Sequence, residues 1–87
     1  MMHNEPTCSR EICPLTMAPV GQDLRLCRLC AGRRLARRLA ELGLTPGVEL
    51  RVVQDAGGPL LVSVRNSRIA LGRGVASQLR VELVARE

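Results

Sequence analysis

The sequence contains no phenylalanine, tyrosine or tryptophan, no lysine, and a single histidine. Without aromatic rings it cannot stack bases as single-strand binders do, nor line a groove for proline-rich peptides. Without lysine it has no Walker A motif, no Schiff base and no lysine general base, which argues against nucleotide hydrolysis. His3 stands alone, and Asp23, Glu41, Glu49, Asp55 and Glu82 fall on different predicted elements, so no acid/base pair or histidine-centred triad emerges. The chain is expected not to be an enzyme. No apolar run approaches the roughly 20 residues of a spanning helix, and the N-terminus lacks a basic flank followed by an apolar stretch. Both absences lead to the expectation of a soluble, cytoplasmic protein.

What is present is a folding composition. At 87 residues, 46% hydrophobic and 24% charged, the chain suits one small globular domain with one compact core. The net charge is +5 with a pI near 10.2, and every basic residue is arginine. Nucleic acid, an anionic membrane surface and an acidic protein are the partners such a balance brings into view.

Residues 1–13, polar and without periodicity, read as a flexible N-terminal tail, and residues 14–87 as the folded domain. Leu24, Leu26 and Leu29 belong to a first strand, and their odd spacing predicts a bulge near Cys27 and Arg28. A helix starts near Arg33, with Leu35, Ala36, Leu39, Ala40 and Leu42 on its apolar arc and Arg33, Arg34, Arg37, Arg38 and Glu41 opposite. Gly43 is its left-handed stop, and Thr45-Pro46-Gly47-Val48 fits a type II turn. Val48, Leu50 and Val52 form a strand, which turns at Asp55-Ala56-Gly57-Gly58 into a returning strand of Leu60, Val62 and Val64. Asn66-Ser67 turns the chain again into a strand at Arg68 to Leu71. A single helical turn follows, then a last strand with Leu79, Val81 and Leu83. The fold class is mainly β: a small barrel of about five strands with one short α-helix after the first strand.

The segments RRLARRLAELGLTPGVELRVV and GGPLLVSVRNSRIALGRGVASQLRVE resemble the FeoA family of small SH3-like barrels associated with bacterial ferrous iron uptake. The similarity runs from about Leu15 to Glu82, and Gly43, Pro46, Gly47, Ile69, Ala70 and Leu71 carry it. The resemblance implies an SH3-like barrel. It also implies a cytosolic accessory or regulator of the membrane ferrous iron permease that carries a GTPase domain, FeoB, either free in the cytoplasm or peripheral at the inner membrane.

Two sets of residues are candidates for function. Arg33, Arg34, Arg37 and Arg38 are either a solvated helix face, partly offset by Glu41, or a protein-docking surface, since arginine pairs bidentately with carboxylates. A barrel binding RNA or DNA through phosphates is the alternative. It is disfavoured because the helix is short and has no second helix to form a helix-turn-helix. Cys8 and Cys13 are spaced C-x4-C, Cys27 and Cys30 C-x2-C, and His3 lies nearby. They are either small apolar thiols or ligands of zinc or ferrous iron, within one chain or in a metal-bridged homodimer. A disulfide is disfavoured by a reducing cytosol. No cofactor is required by any other feature.

Overall fold

The computed structural model describes residues 12–84. Among these residues six antiparallel strands form one strongly bent sheet: β1 (Ile12–Pro14), β2 (Asp23–Leu29), β3 (Glu49–Asp55), β4 (Leu60–Val64), β5 (Ser67–Leu71) and β6 (Leu79–Leu83). Their order is β1-β6-β2-β3-β4-β5, so β1 and β5 are edges and the barrel is not closed by hydrogen bonds. A 3-10 turn at Leu15–Met17 follows β1, helix α1 (Arg33–Glu41) joins β2 to β3, and α2 (Arg73–Ala76) joins β5 to β6. The small SH3-like barrel expected from the sequence is the fold observed.

Alternation builds the core. Leu24 and Leu26 of β2, Leu50 and Val52 of β3, Leu60, Val62 and Val64 of β4, and Leu79 and Val81 of β6 all point inward, each at most 4% exposed. The expected bulge is present: β2 shifts register against β6 between Leu26 and Arg28, which lets Leu26 and Leu29 face the same interior despite their odd spacing. A second shift, between Val52 and Gln54 of β3, had no clear signal in the apolar pattern.

The sheet starts at Ile12, two residues before the domain boundary expected at Pro14, because Ile12, Cys13 and Pro14 pair with Glu82, Val81 and Arg80 of β6. The β4–β5 loop is Arg65-Asn66, with Ser67 already paired to Val64, so the turn lies one residue earlier than expected. Leu83 is 53% exposed while Glu82 is 8% exposed, reversing the expected last step of β6. Glu82 is covered on the outer face between Ile12 and Arg25, whereas Leu83 has a paired neighbour, Leu24, on one side only among the described residues.

The end of α1 is a Schellman motif. Gly43, at φ 92, donates its N–H to the Ala40 carbonyl at 3.0 Å, and Leu44 donates to the Leu39 carbonyl at 2.9 Å. Leu39 and Leu44 are both buried, giving the motif its apolar contact. Gly47, at φ 98, and the 3.1 Å bond from Val48 N–H to the Thr45 carbonyl complete the expected type II turn. Gly47 N–H then bonds to the Leu26 carbonyl at 2.7 Å, returning the chain to β2.

Candidate functional site

α1 rises about 14 Å over its nine residues and touches the barrel along a narrow stripe. Leu39 is buried and Leu35 and Ala36 are half-buried, but Ala40 and Leu42 are exposed, so the apolar arc is narrower than its sequence period suggests. The Schellman turn is the reason: Leu44, beyond the helix, fills the core position that Leu42 would otherwise take.

The opposite face carries Arg33, Arg34, Arg37 and Arg38, all exposed. Arg33 stacks one turn from Arg37, and Arg34 from Arg38. Like charges at this spacing cost about 0.2–0.5 kcal/mol per pair. Arg33 and Arg34 also sit in the first turn, at the positive end of the helix dipole, with no acidic residue beside them and no side-chain cap from Gly32. Glu41 occupies the last turn, where a negative charge is disfavoured, and among the described residues it forms no ion pair with Arg37 or Arg38.

Three arginines of the barrel, by contrast, are paired. Arg25 bridges Glu82 at 3.2 Å and Glu49 at 3.6 Å, Arg51 pairs with Asp23 at 2.6 Å, and Arg73 pairs with Asp55 at 2.7 Å. These pairs, which the sequence reading missed, use the acidic residues of the barrel and leave the α1 arginines without internal partners among the described residues. Arg73 also donates to the Gly58 carbonyl at 3.0 Å, clasping the β3–β4 turn to α2. Its two hydrogen bonds hold the Asp55 carboxyl below the usual carboxylate range, helped by the Gly57 N–H. A shallow groove of about 290 Å³ lies over Asp23, Glu49, Leu50, Arg51, Ser63 and Arg65. Its two carboxylates and two guanidinium groups balance, so it has no preference for one sign of ligand.

The cysteines are placed differently from one another. Cys27 is half-buried at the β2 bulge, where the register of β2 against β6 shifts. Cys30 is exposed and free, just beyond β2. Cys13 is free and half-buried on β1, and burial pushes its thiol pKa up despite the nearby charge of Arg80. Cys8 and His3 lie outside the described residues. Among the described residues, no three of histidine, cysteine, aspartate or glutamate come together to hold a metal ion. No described helix is long and apolar enough to cross a membrane.

Comparison with known proteins bears on the whole domain. The family model of the FeoA domain matches residues 13–83. A Methanocaldococcus jannaschii protein assigned as Fe(2+) transport protein A is 35% identical over 69 residues, 79% of this chain and 84% of its own. The crystal structure of an iron uptake regulatory protein, FeoA, superposes with a TM-score of 0.77 at 28% identity, covering 86% of this chain and all of that one. The solution structure of iron(II) transport protein A from Clostridium thermocellum has the same TM-score at 32% identity, over 82% of this chain and 45% of that one. The matched span runs from β1 through β6 and includes the α1 stop and the type II turn described above. The chain therefore belongs to the FeoA family.

Proposed function

We propose that this FeoA-family protein is a cytosolic accessory of ferrous iron uptake that docks through the arginine face of α1 onto an acidic surface of the permease's cytosolic GTPase part. The observation that carries the reading is the charge arrangement of α1: two arginines at the wrong end of the dipole, stacked on two more, with no partner among the described residues. Placements that cost a fold stability without local compensation are the ones expected at functional positions. Arginine suits a protein partner because its planar fork takes a carboxylate bidentately. The cysteines have no part in this reading.

The test is capture of the purified GTPase part of the permease by the full chain at physiological salt. Replacing Arg33, Arg34, Arg37 and Arg38 by glutamine should leave the circular dichroism spectrum unchanged and abolish capture. Undiminished capture sinks the docking reading. Tight RNA binding by the native chain, with a steep salt dependence, would replace the protein partner by a nucleic acid.

A further inference from the structure

We infer that the free edge of β5 is a docking strand for an extended acidic segment of a partner protein. The site is separate from the α1 face, and the reading does not depend on that one.

Among the described residues β5 ends the sheet, with β4 on one side and no strand on the other. Val64 and Ser67 close a two-residue loop, so the pairs Val64–Ser67, Val62–Ile69 and Leu60–Leu71 exchange the ladder bonds. Arg68 and Ala70 therefore turn their N–H and C=O groups to the open edge. No other backbone bond reaches Ser67–Leu71 among the described residues, and the side chains of Arg68 and Ala70 are exposed. Such an edge can accept one more strand by main-chain hydrogen bonding.

The outer face of the sheet specifies what that strand should carry. Its ion pairs lie directly across neighbouring strands: Asp23 is in register with Arg51, and Arg25 with both Glu49 and Glu82. The Asp23–Arg51 row continues through Ser63 to Arg68, which ends it without an acidic neighbour. A carboxylate opposite Arg68 on an added strand would extend the same cross-strand pattern. Arg65 lies just before β5, at φ 57, and adds a second exposed positive charge beside the edge. On the inner side Ile69 is only half-buried against the core, so an apolar side chain on the added strand would cover its exposed part. The fitting segment thus alternates acidic and apolar residues.

A second copy of the chain does not fit. Pairing of two β5 edges would gather Arg68 and Arg65 of both copies on one outer face, the like-charge arrangement by which edge strands avoid self-association. The arginine that blocks self-pairing is the one that selects an acidic strand.

The experiment uses the full chain and two labelled heptapeptides, Thr-Glu-Val-Glu-Val-Glu-Thr and its lysine counterpart, with binding read by fluorescence polarisation and by amide chemical shifts. The acidic peptide should bind at least about tenfold more tightly than the basic one, with shifts and slowed exchange at the amides of Arg68 and Ala70. Arg68→Glu should invert the preference. Ala70→Pro deletes an outward N–H and leaves the β4–β5 ladder intact, so it should abolish binding with the thermal midpoint preserved. Binding that survives Ala70→Pro, shifts that fall on α1, no binding of either peptide, or dimerisation through β5 would each overturn the inference.

Discussion

The charge arrangement of α1 makes a prediction that runs against ordinary surface mutagenesis: reversing charge at two of its arginines should make the protein more stable. In the variant Arg33→Glu, Arg34→Glu, two positive charges leave the positive end of the dipole and two negative charges replace them. Each dipole interaction is worth about 0.3–1 kcal/mol at low ionic strength. The same change turns the Arg33/Arg37 and Arg34/Arg38 stacks into Glu-to-Arg pairs in the favourable order, about 0.2–0.5 kcal/mol each. Both side chains are exposed, so the low ends of these ranges apply and the net gain should be about 1–2 kcal/mol. The helix shares the core through Leu39 and Leu44, so the gain should appear in global unfolding. For a domain of this size it corresponds to a rise in thermal midpoint of roughly 4–16 °C. Melts followed by circular dichroism at low salt should show the rise, and in about 1 M salt, where the screening length falls to about 3 Å, most of it should vanish. Permease capture by the same variant should fall. An unchanged or lowered midpoint at low salt would refute the claim that these arginines oppose the helix.

Leu39→Ala should cost about 2–4 kcal/mol by urea unfolding and Leu42→Ala less than about 1 kcal/mol, since Leu39 is 2% exposed and Leu42 47%. Equal losses would contradict the narrow packing stripe of α1. Gly43→Ala should destabilise by about 1 kcal/mol, because φ is 92 while an added Cβ would meet nothing within 4 Å; a much larger loss would point to a hidden clash. The Asp55 carboxyl titrates lower in the folded than in the unfolded protein, so its stabilising contribution is complete above the ordinary value of 3.8 and is lost as pH falls through the depressed one. Arg73→Met should therefore flatten the dependence of the urea midpoint on pH below about 5, and an unaltered slope would remove the clasp from the acid response.

Those positions also mark how far the sequence could be read. Elements punctuated by glycine were legible: Gly43 and Gly47 impose positive φ, and a stop and a turn follow whatever surrounds them. Strands with a strict period of two were legible for the same local reason, and the odd Leu26-to-Leu29 step even located the bulge. What failed depended on distant neighbours. Leu42 looked equivalent to Leu39 until Leu44 claimed the core site, and Leu83 looked buried although it has a described strand neighbour on one side only. Ile12 and Cys13 carried too little pattern to announce a strand that exists because β6 offers a partner. The arginine face was visible from periodicity alone, but its lack of partners was not. That required knowing which acid lies across from which base.

Register explains why a modest net charge becomes concentrated. Asp23, Glu49 and Glu82 alternate with Arg51 and Arg25 across the outer sheet, and Asp55 is held by Arg73, so four of the five described carboxylates are engaged on the barrel. The fifth, Glu41, sits at the end of α1 where the dipole disfavours it. Neutralisation is thus spent on strands that must pack face to face, while the helix keeps four positive charges against one negative. Redistributing the same residues, for example by exchanging Glu49 with Arg37, would preserve composition, pI and apolar pattern. It would remove the Arg25–Glu49 arm of the bridge and dilute the helix face together. The charge that matters for a partner is therefore set by cross-strand register, and the net value of +5 is only its remainder.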